Sequence, residues 1–126
     1  MEKAVKGCLD SLLLKRKKCP WLKSRTIEEQ LGEVESELEE LRQAVENKDW
    51  ENLKEEFGDI LWDLFSIGVI AEEKGLFKIS EALDDVHAKI KRRSPWVFGN
   101  ETVSSKEEAV KRWYEIKAGE KAKKQA

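Results

Sequence analysis

One histidine, two cysteines and two prolines in 126 residues leave this chain few of the groups that small proteins use as staples. A single histidine and no CxxC pair argue against a structural zinc site. Cys8 and Cys19 do not make a disulfide framework, so the expected compartment is a reducing cytoplasm. An excess of one charge is also missing. Lysine and arginine number 24 against 26 acids, a formal net charge of −2, which argues against a nucleic-acid or membrane-surface binder. The opening stretch holds no apolar run long enough for a signal peptide or a membrane span. Strand-like alternation, low-complexity tracts and internal repeats are lacking as well, and with few β-branched clusters the fold class is all-α. The length suits one domain over residues 1–126, large enough to bury about two thirds of its unfolded surface.

What is there is helical periodicity, enough for about five helices around a four-helix core. The first is expected over residues 2–17, with Val5, Cys8, Leu9, Leu12 and Leu13 as its apolar stripe. The basic run 15–18 suits a helix C-terminus, and Pro20 forces a break, so Cys19-Pro20-Trp21 reads as a loop with Trp21 packed on the bundle. Thr26 and Glu29 have capping-box spacing and open a second helix, whose seam is Ile27, Leu31, Val34, Leu38, Leu41 and Val45. Asn47-Lys48-Asp49 is a turn with Asp49 as N-cap. A third helix follows from Trp50 to about Lys74, where Gly75 ends it. Its second half, ILWDLFSIGVIA, is apolar on nearly every side, more than one small bundle buries, and this predicts a homodimer or higher homo-oligomer that completes the core. Ser80 caps a fourth helix with Ala82, Leu83, Val86 and Ile90 inward. Residues 96–99, WVFG, form a loop folded back on the bundle. Ser105 and Glu108 open a fifth helix to about Lys117, packed through Ala109, Val110, Trp113 and Ile116, and the tail 118–126 is expected to be disordered.

Two carboxylate pairs carry the chemistry. Glu37 and Glu40 lie one turn apart on the second helix, Glu56 and Asp59 one turn apart on the third. Residues at i and i+3 share a helix face, so two antiparallel helices can converge four oxygen ligands on one point, a donor set for a hard cation such as Mg2+, with Mn2+ as a substitute. Solvated helix acids are the plain alternative for Glu33, Glu37 and Glu40. That alternative is weaker for Glu56, which sits among Leu53, Phe57, Ile60, Leu61 and Leu64, where an uncompensated acid is costly. Asp63 reads as a capped or ion-paired acid at an interface. Lys89 and Arg93, four apart, are either a plain basic helix end or a phosphate clamp.

Five segments, in order, resemble the MazG family of nucleotide pyrophosphohydrolases. They are Cys19-Pro20-Trp21, the pair Glu37/Glu40 within ESELEE followed by Glu56/Asp59 within EEFGDIL, then AEEKGLF (71–77), KIKRRSPWVFG (89–99) and Trp113-Tyr114-Glu115-Ile116-Lys117. The resemblance covers about 19–117 and implies an all-α enzyme that uses Mg2+ to cleave nucleoside triphosphates to the monophosphate and pyrophosphate by water attack, as in the house-cleaning of non-canonical nucleotides. It implies Glu37, Glu40, Glu56 and Asp59 as metal ligands and the catalytic acids through that metal. It also implies Lys89 and Arg93 as phosphate contacts, Trp113 as a base contact, Lys117 as a further phosphate contact, and a homodimer or higher oligomer. The water-activating base stays open among Glu37, Glu40 and Glu33. The chain departs from the family pattern at Ser36, in place of the first Glu of EExxE, at Leu22, and at Ser94 and Trp96, in place of two histidines. Ser36 keeps alive a second reading, a catalytically silent helical dimer that binds nucleotides as a sensor or serves as an interaction module. Asp84-x-x-His87 faintly imitates the ligand pair of a redox dimetal bundle, a minor third reading.

Overall fold

The structure, a computed structural model, describes residues 1–125. Seven helices follow one another with no strand among the described residues: α1 (Glu2–Lys18), α2 (Pro20–Ser24), α3 (Ile27–Glu46), α4 (Trp50–Glu73), α5 (Ile79–Arg93), α6 (Pro95–Phe98) and α7 (Lys106–Gln125). They divide into two units, Met1–Ile79 and the residues from Ser80 onward. Among the described residues no helix is long and apolar enough to cross a membrane.

In the first unit, α3 and α4 form an antiparallel hairpin and α1 packs on α4. The hairpin is set by local chemistry. The Glu29 N–H donates to Thr26 Oγ1 (3.1 Å) while the Thr26 N–H donates to Glu29 Oε1 (3.0 Å), both halves of the expected capping box. Lys48 takes φ +53 in the turn, and Asp49 accepts from the Asn52 N–H at 3.2 Å. Gly75, at φ +70, ends α4. The Leu76 N–H reaches the Ala71 carbonyl and the Gly75 N–H reaches Glu72, which caps the last carbonyls in a Schellman motif.

Three expectations in this unit are corrected. Pro20 does break α1, but its fixed φ and missing N–H suit the first position of a helix, so the CPW segment enters α2 instead of a loop. Trp21 does not pack on the bundle. It is 64% exposed, with Lys15 (5.5 Å) and Arg25 (5.9 Å) over its ring, and the neighbouring Leu22 takes the buried position. Nor is α4 buried all round in this chain. Ser66 and Gly68 to Ala71 are buried, yet Phe57, Leu61 and Leu64 stay exposed. The apolar core is Leu12, Leu22 and Val69, flanked by Cys19, Trp62, Phe65 and Ile79. Arg16 binds the core's rim: its guanidinium donates to the Leu22 and Arg25 carbonyls and to Glu73.

The helices from α5 onward correct four more. Helix α5 begins at Ile79, before the expected Ser80 cap, because the Glu72 carboxylate accepts the Ile79 N–H (2.7 Å). Leu83, Val86 and Ile90 were expected inward, but all three are exposed. The WVFG segment is a short helix started by Pro95, with Trp96 half-buried and Val97 and Phe98 exposed. Helix α7 runs on to Gln125 where a disordered tail was expected, and its Ala, Lys, Glu and Gln residues are strong helix formers. The last residue, Ala126, lies outside the described residues. The expected cap does form, with the Glu108 N–H donating to Ser105 Oγ (3.1 Å). The Glu108 carboxylate, however, accepts from Ser104.

Candidate functional site

The hairpin places Glu37 on α3 opposite Glu56 and Asp59 on α4. One carboxylate oxygen from each of these three lies within 4.8 Å of the other two. Glu40, the fourth residue singled out by its spacing, lies exposed beside Glu56 and does not join that cluster. Glu56 is only 7% exposed and Glu37 is half-buried. Glu37 Oε2 and Glu56 Oε2 are cut off from solvent and accept no hydrogen bond.

That arrangement is costly in isolation. Like charges at this distance repel, and a buried carboxylate oxygen without a donor has lost its water for nothing. The titration directions express it. The Glu56 carboxyl is raised by its Glu37 neighbour, by burial and by the charges of Glu37 and Asp59, against a lowering contact from Glu40. Glu40 is raised by Glu56. At Glu37 the contact with Glu56 lowers, but burial and the charges of Glu40 and Asp59 prevail and the carboxyl is raised. Among the described residues no lysine or arginine pairs with any of the four acids. The donor set is all carboxylate oxygen, and two of its buried oxygens lack partners, which fits a hard divalent cation.

Beside the cluster lies a cavity of about 160 Å³ lined by Glu37 and Asp59 together with Trp21, Trp62, Arg25 and Asp63. Sequence reasoning missed Arg25 and Gln30. The Arg25 guanidinium donates to Gln30 Oε1 (2.7 Å) and Glu33 Oε1 (3.2 Å), holding this wall of the cavity. The available signal was an arginine just before the N-cap, within one and two turns of Glu29 and Glu33. Asp63, expected at an interface, lines the cavity, its carboxyl raised by burial and by the charges of Glu33 and Asp59 against Arg25.

In the second unit, Lys89, Arg93 and Lys117 line one cleft of about 600 Å³. Arg93 stacks over Trp113 at 5.4 Å, and Lys117 Nζ sits 5.7 Å from the Tyr114 ring centre. Asp84 and His87 belong to no metal-binding cluster among the described residues.

Residues 25–98 match the MazG nucleotide pyrophosphohydrolase domain. The chain belongs to the MazG family. The MazG-matched span holds both acid pairs, Lys89 and Arg93, while Trp113 and Lys117 lie beyond it. The chain is 30% identical over 106 residues to the nucleoside triphosphate pyrophosphohydrolase of Escherichia coli K12, covering 84% of this chain and 40% of that protein. It is 35% identical over 108 residues to the nucleoside triphosphate pyrophosphohydrolase/pyrophosphatase MazG of Thermotoga maritima, covering 86% and 41%. It thus spans about two fifths of these relatives' length. The crystal structure of a mazG-related protein from Thermotoga maritima superposes with a TM-score of 0.80 at 36% identity, over 90% of this chain and 98% of that one.

Proposed function

We propose that this MazG chain is a nucleoside triphosphate pyrophosphohydrolase in which Glu37, Glu40, Glu56 and Asp59 hold Mg2+, with Mn2+ as a substitute. The observation that carries the reading is the pair of buried, partnerless oxygens on Glu37 and Glu56, inside an acid cluster with which no lysine or arginine forms an ion pair among the described residues. When bound, the cation would neutralise charge on the triphosphate oxygens and position the phosphoryl group for attack. The chain's own residues do the rest. A carboxylate with a free oxygen, Glu37, Glu40 or the nearby Glu33, orients and deprotonates the attacking water. Lys89, Arg93 and Lys117 hold phosphate charge, and Trp113 offers an aromatic face to the base. The products are the monophosphate and pyrophosphate.

The same reading makes the protein a cytoplasmic homodimer or higher oligomer that does not act on nucleic acid. Its support is the exposed stripe of Leu31, Leu38 and Val45, seven residues apart on α3, alongside Phe57, Leu61 and Leu64 on α4. A sedimenting dimer that becomes a monomer in Leu64→Glu supports this part, and a wild-type monomer refutes it.

The deciding experiment separates the products of canonical and non-canonical nucleoside triphosphates after incubation with Mg2+ or EDTA, beside Glu56→Ala. Metal-dependent monophosphate plus pyrophosphate, lost in the variant, is expected. Diphosphate plus orthophosphate would refute cleavage at the α phosphorus. Nucleotide binding without turnover would leave the silent sensor, the reading that Ser36 favours.

A further inference from the structure

The last turn of α5 ends in two adjacent arginines, Arg92 and Arg93. Neighbouring helix residues do not face the same way, so nothing within α5 brings these two guanidiniums to one ligand. Glu120 of α7 does. Its Oε1 accepts from Arg92 Nε at 2.7 Å, and its Oε2 and Oε1 accept from Arg93 Nε at 3.1 and 3.3 Å. Arg93 is also held from one face by Trp113.

The atoms used are the informative detail. Arg112 and Glu101, in the same unit, pair fork to fork: Nε to Oε1 at 2.8 Å and a terminal nitrogen to Oε2 at 3.0 Å. That geometry spends the guanidinium on the protein itself. Glu120 instead takes only the Nε of each arginine, and the terminal nitrogens of Arg92 and Arg93 donate to nothing among the described residues. The cleft around them is lined by seven cationic side chains and by Glu120 as its single acid. A carboxylate placed there to cancel charge is outnumbered. A carboxylate placed there to aim two forks leaves the anion-binding edge open.

We propose that Glu120 is a positioning residue that fixes Arg92 and Arg93 through Nε, so that both arginines present their terminal nitrogens to the polyphosphate of the substrate. Arg92 thereby joins Arg93 as a phosphate contact. The identity of the ligand as a nucleoside triphosphate rests on the function proposed above. The clamp itself recognises any pyrophosphate group.

The sign of one substitution separates this role from its rivals. Simple electrostatics says that removing an acid from a basic cleft tightens anion binding. Positioning says that it weakens binding, because the two forks lose their common anchor. Inorganic pyrophosphate is titrated calorimetrically into the full chain in EDTA, for wild type, Glu120→Gln and Arg92→Gln. Both variants are expected to bind about tenfold more weakly, Glu120→Gln because a partner that orients a binding group is lost and Arg92→Gln because a charge-assisted contact to phosphate is lost. Equal or tighter binding by Glu120→Gln overturns the proposal, as does a wild type that binds no pyrophosphate. With nucleoside triphosphate and Mg2+, the loss should fall on KM more than on kcat. A wild type that turns over while Glu120→Gln matches it in KM sinks this inference alone. A wild type without turnover sinks the enzymatic reading and leaves the calorimetry to decide the clamp. Should Glu120→Gln fail to fold, Glu120→Asp keeps the charge, shortens the reach by one methylene, and should show a smaller loss in the same direction.

Discussion

Glu56 and Glu120 are both glutamates set among charged neighbours, and the fold treats them in opposite ways. Glu56 faces other acids, has a buried oxygen with no donor, and its carboxyl is raised. Glu120 lies between two arginines, and the Arg92 hydrogen bond, helped by that of Arg93, pulls it down to about 2. The packing around each differs as sharply. The first unit buries Leu12, Leu22, Val34, Val69 and Ile70. The second has no buried large apolar residue among the described residues and ties its helices with ion pairs. A fully buried Leu or Ile stabilises by about 1.5–3 kcal/mol, so the first unit can carry a repulsive acid cluster that the second could not. A satisfied carboxylate acts as a brace, whereas one left unsatisfied in a well-packed hairpin is a cost that the proposed cation would offset.

The largest expected effect breaks that contrast by making the acid cluster innocuous. Glu56→Gln removes one repelling charge while keeping shape. Metal-dependent hydrolysis should fall at least a hundredfold, roughly the upper range for lost groups that merely support a metal ligand. Thermal unfolding of the metal-free variant should occur at a higher temperature than that of wild type, since function and stability oppose each other at such a site. A variant less stable than wild type in EDTA would mean that the cluster is not strained.

Proton linkage sharpens the same contrast. Glu37, Glu40 and Glu56 titrate above their ordinary 4.5 in the fold. Between 4.5 and the raised values the native state therefore keeps protons that the unfolded chain has released, and metal-free stability falls as pH rises through that interval. Glu120 contributes the reverse: its stabilisation is complete above 4.5 and is lost as pH falls toward about 2. Urea unfolding midpoints in EDTA across the acid range should show both slopes, with Glu56→Gln flattening the upper and Glu120→Gln the lower. Mg2+ should reverse the upper slope, because it competes with the protons on those acids.

How much of this was legible follows from the range of each interaction. The cap at Thr26 and Glu29, the turn ended by Asp49 and the stop at Gly75 are settled within four residues, and the sequence states them outright. The i, i+3 spacing pointed to Glu37, Glu40, Glu56 and Asp59, and because a short turn forces α3 and α4 into one antiparallel hairpin three of them meet, while Glu40 stays outside the cluster. Two expected loops, CPW and WVFG, are short helices opened by Pro20 and Pro95, because breaking one helix and starting the next call for the same residue. The periodicity of Leu83, Val86 and Ile90 marks an apolar face but not what covers it. Glu120 is 28 residues from Arg92, too far for any helical spacing to announce, and a tail read as disordered concealed it.

Two glycines test the packing side of the comparison, with opposite signs. A Cβ on Gly68 would fall 2.5 Å from Ile79 Cγ1, near the root of a stiff β-branched side chain in the first unit's core. Gly68→Ala should destabilise by about 1–3 kcal/mol, the usual cost of overpacking, despite alanine's better helix propensity. Gly119, inside α7, has nothing within 4 Å of the same position. There only propensity acts, and Gly119→Ala should stabilise by about 0.5–1 kcal/mol. Denaturant titration of both variants measures the pair. The smaller effect is the more discriminating, because the second unit buries no large apolar residue among the described residues to obscure it. A loss at Gly119 would mean that this stretch of α7, which also carries Glu120, is covered in solution instead of open.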